Sequence, residues 1–268
     1  MEQPPGFEDP NKPNHVCKLN RALYGLKQAP RAWFQRLSNF LLTLGFENSR
    51  SDPSLFTYQR HGILIYLLVY VDDIIITGNN DTFITNFTTR LDKEFKIKDL
   101  GLLQFFLGLE VTHTDSGLFL NQSKYAHDIL TRAGLLDSKP VATPLTSKDV
   151  FHSPGHPFHD PTLYRSLVGA LQYLTITRPD LSYAVNQASQ FPQQPTTTHF
   201  QLVKRIFRYV KGTLTHGLHF DRPPSTTLLG FSDADWARCI DTRRSTNGYC
   251  IYLGGNLVSW SAKKQPTV

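Results

Sequence analysis

The stretch LLVYVDDIIIT, Leu67–Thr77, decides the reading of this 268-residue chain. Two adjacent carboxylates, Asp72 and Asp73, stand between two of the most apolar runs in the sequence. An ionised carboxylate buried without a partner is costly, so the pair belongs at a turn between strands. Ile63–Tyr70 and Ile74–Thr77 have the β-branched and aromatic content of strands. Leu55–Tyr58 reads as another, joined through a turn at Arg60-His61-Gly62. Two readings of the pair stay open. Asp is common in solvated turns. Two carboxylates on one tight turn can also share divalent cations. Sites of that kind drive nucleotidyl transfer and usually draw a third carboxylate from elsewhere in the fold.

Working outward, QAPRAWFQRLSNFLLTLGF (Gln28–Phe46) reads as a helix. Pro30 suits the first turn, Trp33, Leu37, Phe40, Leu41 and Leu44 form one face, and Gly45 is the stop. Asp81–Phe95 repeats Phe83, Phe87, Leu91 and Phe95 at helical spacing. Leu103–His113 and Leu118–Leu120 read as strands, and Ser123–Ala133 as a helix. Asp137–Pro161, rich in Pro, Ser, His and Asp, reads as a linker. Tyr164–Thr175, Leu181–Phe191 and Thr198–Lys211 follow as three helices, then short strands from Leu228 with a Gly-Gly-Asn turn between the last two.

The formal net charge is +6, compatible with a phosphate-bearing partner. The basic excess concentrates late in the chain: Lys204, Arg208 and Lys211 share a helical face opposite Val203, Phe207 and Val210, with Arg205 beside them. Three cysteines, Cys17, Cys239 and Cys250, form no CxxC pair, so neither a disulfide framework nor a zinc site is indicated. The N-terminus lacks a signal-peptide pattern and the longest apolar run, Ile63–Val71, is too short to span a bilayer. These features predict a protein that is not secreted, sits in the cytoplasm or nucleus, and makes no membrane contact.

Tyr70-Val71-Asp72-Asp73 resembles the YxDD box of reverse transcriptases. Its companions stand in matching order: VCKLNRALYGLKQAPRAWFQRL (16–37), FLGLEV (106–111), SKYAHDIL (123–130), YRSLVGALQYLTITRPDLSYAV (164–185), LVKRIFRYVKGT (202–213) and FSDADWARCIDTRRSTNGYCIYLGGNLVSWSAKKQ (231–265). Together they resemble, from Met1 to Val268, the pol polyprotein of copia-type long-terminal-repeat retrotransposons. The resemblance implies an α+β fold: a reverse-transcriptase palm (1–136, fingers missing), a linker (137–161), a helical thumb (162–222), and the truncated opening sheet of an RNase H-like domain (223–268).

The resemblance also implies roles. Asp72 and Asp73 would hold Mg²⁺ or Mn²⁺, with Tyr70 near the primer end. Gly25, Gln28 and Pro30 lie in the helix start that packs beneath the incoming deoxynucleotide, although Tyr24 stands where other reverse transcriptases often carry Gln. Phe106, Leu107 and Gly108 resemble the turn that holds the primer strand; Gly108 in a bulged core strand is the plain alternative. Lys204, Arg205, Arg208 and Lys211 would meet the backbone of an RNA/DNA template–primer duplex. Asp233 matches the first metal-binding acid of RNase H. Asp235 and Trp236 share its motif, with Trp236 expected in the core, and Arg243, Arg244 and Ser245 match a turn. Against the family pattern, the earlier palm Asp and the later RNase H Glu and Asp have no match, and Asp9 and Asp52 lie in other contexts. Both active sites are therefore expected to be incomplete, with weakly held metal and impaired catalysis. The alternative is a non-enzymatic remnant that only binds nucleic-acid duplexes.

Overall fold

A computed structural model describes residues 1–20, 23, 25–146, 155–237, 239 and 242–266. They form two units, Met1–Gly101 and Leu102–Val268.

In the first unit, helix α1 (Ala29–Thr43) precedes strands β1 (Glu47–Asn48), β2 (Leu55–Arg60), β3 (Ile63–Tyr70) and β4 (Asp73–Gly78), and helix α2 (Asp81–Phe95) closes it. The strands pair antiparallel in sequence order. Period two does the sorting: Ile65, Leu67 and Val69 of β3 are buried, whereas Tyr66 and Tyr70 are exposed on the other face. Leu37 and Leu41 of α1 and Phe87 and Leu91 of α2 join Phe56 and the buried β3 residues in one core. Burial of each such side chain stabilises by roughly 1.5–3 kcal/mol. Asn80 caps α2, its side chain accepting from the Phe83 N–H at 2.8 Å. Both helices therefore cover one face of the sheet and leave the other open.

In the second unit, β5 (Phe105–Phe106), β6 (Leu109–His113) and β7 (Gly117–Asn121) form a meander, and helix α3 (Ser123–Arg132) follows. Helices α4 (Pro161–Leu174), α5 (Ser182–Ala188, entered through a 3₁₀ turn at Pro179–Leu181) and α6 (Thr197–Gly212) pack with α3 around a core that includes Tyr164, Leu171, Val185, Ile206 and Phe207. Strand β8 (Gly217–Asp221) then returns to pair with β7. β9 (Leu228–Ala234), β10 (Thr246–Leu253) and β11 (Asn256–Lys264) make a separate antiparallel sheet in the order β11-β10-β9.

Two expectations change. Leu103–His113 is not one strand: a two-residue turn at Leu107-Gly108, with φ of +49° and +76°, splits it into β5 and β6. The β5–β7 meander and α3 lie in the second compact unit, where β7 takes β8 as its partner. Trp236 is 94 % exposed rather than core. β9 ends at Ala234 and is exposed along its whole length at the sheet edge, so among the described residues no layer faces the segment just beyond it. Tyr24 lies outside the described residues.

Candidate functional site

The carboxylate pair occupies the tip of the β3–β4 hairpin. Tyr70 pairs with Asp73, leaving Val71-Asp72 as a two-residue connection. Favoured turns of this length need positive φ at their first central residue, which Gly, Asn and Asp meet readily. Here that residue is Val71, at φ +54°. A β-branched side chain in this region is an outlier that the surroundings must hold in place. The other two-residue hairpins among the described residues, His61-Gly62, Leu107-Gly108 and Gly254-Gly255, have positive φ at both positions and Gly at the second.

Trp33 supplies one restraint. Its indole N–H donates to the Val71 carbonyl at 2.6 Å, and its ring packs edge-on against Phe95 with centroids 5.1 Å apart. α1 and α2 thus reach the turn from the buried side. Sequence periodicity places Trp33 on the apolar face of α1 but carries no signal of this donor, because the bond joins residues far apart in the chain. Asp72 and Asp73 are both solvent-exposed, and Tyr70, 54 % exposed, stands beside Asp73 on the open face. Hydration at the tip thus answers the cost of placing two carboxylates between apolar strands. Their oxygens are the hard donors that Mg²⁺ or Mn²⁺ takes, so the pair fits a divalent ion as part of a donor set. Among the described residues no group of three or more His, Cys, Asp or Glu is placed to share a metal. Asp52 instead closes a local turn, accepting from the backbone N–H and hydroxyl of Ser54 at 2.9 and 2.6 Å. Asp9 does likewise with the Asn11 N–H at 2.9 Å.

Gly25, with φ +88°, lies in the approach to α1, Gln28 is its N-cap without a side-chain cap bond, and Pro30 sits in its first turn. In the second unit, Phe106 is half-buried and Leu107 is exposed at the β5–β6 turn, where the Leu107 carbonyl accepts from the Tyr173 hydroxyl. The neighbouring Glu110 caps α3, accepting from the Lys124 N–H at 2.7 Å.

The basic residues of α6 divide into two kinds. Lys204 is exposed and lies over the Phe200 ring at 5.0 Å, and Lys211 is half-exposed in the last turn. Arg205 donates to the Thr143 hydroxyl at 2.9 Å and Arg208 to the Lys139 carbonyl at 2.7 Å, which binds the preceding segment along the helix. Arg178 and Asp180 are structural. Arg178, buried, forks onto both Asp180 oxygens and also donates to the Thr213 carbonyl and hydroxyl. Burial raises the Asp180 pKa, but hydrogen bonds from Arg178 and Tyr209 outweigh it and hold the carboxyl below its usual range.

Asp233 lies on β9 beside an open cleft of about 480 Å³, lined among others by Tyr183, Phe231, Tyr249 and Trp260. One of its oxygens accepts from the next backbone N–H at 2.8 Å. Asp235 instead extends the β9–β10 ladder by accepting from the Thr246 N–H. Ser245 accepts from the Ala237 N–H at 2.9 Å, and Arg243, at φ +51°, turns the chain back toward β10, with Arg244 following it. Cys239 receives Lys264 Nζ at 2.9 Å and the Thr242 hydroxyl at 3.1 Å. Desolvation opposes ionisation there, yet those donors win and bring the thiol down to about 7.

Residues 1–147 match the family model described as reverse transcriptase (RNA-dependent DNA polymerase). The chain belongs to the reverse transcriptase family. Within it, this family member is 51 % identical to the retrovirus-related Pol polyprotein of transposon RE1 from Arabidopsis thaliana, over 100 % of this chain and 18 % of that polyprotein. It is 38 % identical to the Pol polyprotein of transposon TNT 1-94 from Nicotiana tabacum, over 100 % of this chain and 21 % of the relative. Both are copia-type, and the chain spans about a fifth of their length. An uncharacterized mitochondrial protein of Arabidopsis thaliana is 50 % identical over 76 % of this chain and 85 % of its own length. No solved structure matches the chain.

Proposed function

We propose that this chain contributes the Asp72–Asp73 acid pair and a duplex-binding surface to an RNA-directed DNA polymerase of the copia type. The observation that carries the reading is the pair itself: two exposed carboxylates on a strained hairpin tip, at the end of a sheet with one face packed by α1 and α2 and the other open. Divalent ions held there by Asp72 and Asp73 would activate the attacking 3′ hydroxyl and support the leaving pyrophosphate. The chain's own part is geometric. The β3–β4 ladder and Trp33 fix the turn, and Tyr70 stands on the same face for the primer end. The Leu107-Gly108 turn serves the primer strand, and Lys204 and Lys211 serve backbone phosphates by charge. Asp233 has the same kind of role in an RNase H-like sheet formed by β9–β11.

A second reading, duplex binding without catalysis by these 268 residues alone, is favoured by the acid count. The pair gathers no third His, Cys, Asp or Glu among the described residues. The two readings separate in one experiment. The chain is assayed alone for primer extension on an RNA template, and residues 1–147 are also exchanged into an active reverse transcriptase of the family. The proposal predicts no extension by the chain alone. It predicts extension by the exchange protein that Asp72→Asn or Asp73→Asn abolishes. The second reading shares the first outcome but predicts no extension by the exchange protein; that result, or extension that survives both substitutions, would overturn the proposal.

A further inference from the structure

The β5–β6 turn is pinned from outside its own hairpin. Phe106 pairs with Leu109, so Leu107 and Gly108 are the two central residues, both at positive φ. Gly108 meets that demand without strain; Leu107 does not, and its carbonyl is the atom that receives the Tyr173 hydroxyl. The same hydroxyl lies 2.9 Å from where a Cβ on Gly108 would stand, so a side chain there would have to displace it. Tyr173 is itself fixed. Its ring packs edge-on against Tyr125 of α3, centroids 5.0 Å apart, and the Tyr125 hydroxyl donates to the Ala170 carbonyl one turn earlier on α4 at 3.2 Å. Two bundle helices therefore set the place of a hairpin tip whose Phe105 and Leu107 side chains are 64 % and 38 % exposed.

We infer that Tyr173 is a positioning residue for the primer strand: its hydroxyl holds the Leu107-Gly108 turn at a fixed offset from the α3–α4 pair. The inference rests on the proposal above that this turn serves the primer. Two residues further along β6, Glu110 ties the hairpin to the start of α3 by accepting from the Lys124 N–H at 2.7 Å; the Tyr173 bond reaches the turn's own carbonyl, and a hydrogen bond to one carbonyl fixes register. Loss of the hydroxyl leaves the ring, its Tyr125 contact and the α6 cations in place. Duplex affinity and fold should persist while the turn's alignment along the primer is lost.

The experiment uses the 268-residue chain and an RNA–DNA duplex with a photoreactive 5-iodouracil near the primer 3′ end, crosslinked peptides being mapped by mass spectrometry. The unmodified chain is expected to crosslink through Phe105–Leu109. Tyr173→Phe should lower that crosslink about fivefold, as one lost hydrogen bond shifts a local equilibrium, or move it to another primer position. Its Kd for the duplex should rise less than the crosslink falls, and its melting temperature should drop by no more than about 2–4 °C. Equal crosslinking at the same position in Tyr173→Phe would overturn the inference and leave the primer reading intact. A duplex-bound chain that never crosslinks through Phe105–Leu109 would overturn both.

Discussion

If Trp33 holds the Val71 turn, removing its donor and removing the strain at Val71 must be coupled. The indole-to-carbonyl hydrogen bond at 2.6 Å contributes about 1 kcal/mol net, toward the low end because water can reach the half-exposed tip once Trp33 is gone. Trp33→Phe keeps a ring against Phe95 but gives up the donor and some volume, for a total cost of about 1–2 kcal/mol. Val71→Gly works the other way. A non-glycine residue at left-handed φ costs about 1–2 kcal/mol, and glycine gives back roughly 0.5–1 of this in unfolded-state entropy. A net gain of about 0.5–1 kcal/mol is therefore expected. In the Val71→Gly background the turn needs less holding, so Trp33→Phe should cost roughly half as much as it does with Val71, a coupling of about 0.5–1 kcal/mol. Amide hydrogen exchange along β3 and β4 is the suitable assay, because it reads the first unit independently of the second. Exchange at Asp73 and Ile75, whose amides face β3, should quicken in Trp33→Phe and slow in Val71→Gly. Strictly additive effects, or a Val71→Gly protein that exchanges faster than the parent, would refute the reasoning.

Three further outcomes follow from the second unit. Lys204→Glu and Lys211→Glu should each weaken duplex binding and reduce the salt slope by about 0.9 or more, whereas Arg208→Ala should mainly lower the melting temperature, since its guanidinium holds the Lys139 carbonyl; binding titrations across salt separate the two. Asp180 titrates below the usual carboxylate range, so its stabilising effect is complete above about pH 4, near the unfolded value, and is lost as pH falls through the folded value. Asp180→Asn should flatten that acid limb in urea unfolding, and an unchanged limb would contradict the assignment. Cys239, brought down to about 7 by Lys264 and Thr242, should alkylate with a midpoint near pH 7, and Lys264→Ala should move the midpoint up toward roughly 8.5; peptide mapping of the labelled thiol checks both.

The parts of this fold legible in the sequence are those fixed by local composition and periodicity. The β-branched and aromatic content of Ile63–Tyr70 marks the strand, and the charge of Asp72-Asp73 forces a solvated tip beyond it. The four-residue recurrence of Phe83, Phe87 and Leu91 marked the inward face of α2. What stayed hidden depends on partners distant in sequence. β7 pairs with β8 across all the intervening helices, and nothing in GLHFD announces that partner. The Leu107-Gly108 turn reads as strand because Leu107 carries no turn signal, and the bond from Tyr173 that accompanies its positive φ comes from another element. Charge spacing on α6 predicted one basic face. It could not show that Arg205 and Arg208 are engaged by Thr143 and Lys139 while Lys204 stays exposed. Trp236 looked like core from its hydrophobicity, but core needs a facing layer, and edge position is a property of the sheet.

The central claim is that Asp72 and Asp73 together hold a divalent ion at the β3–β4 tip. The direct measurement is metal-directed backbone cleavage: Fe²⁺ is substituted for Mg²⁺, ascorbate and peroxide generate radicals at the bound ion, and fragment masses locate the cuts. The account predicts cuts confined to the neighbourhood of Tyr70–Ile74, competed by Mg²⁺ and lost in both Asp72→Asn and Asp73→Asn. Cleavage elsewhere in the chain with this segment intact, or cuts at the tip that survive both substitutions, would contradict it.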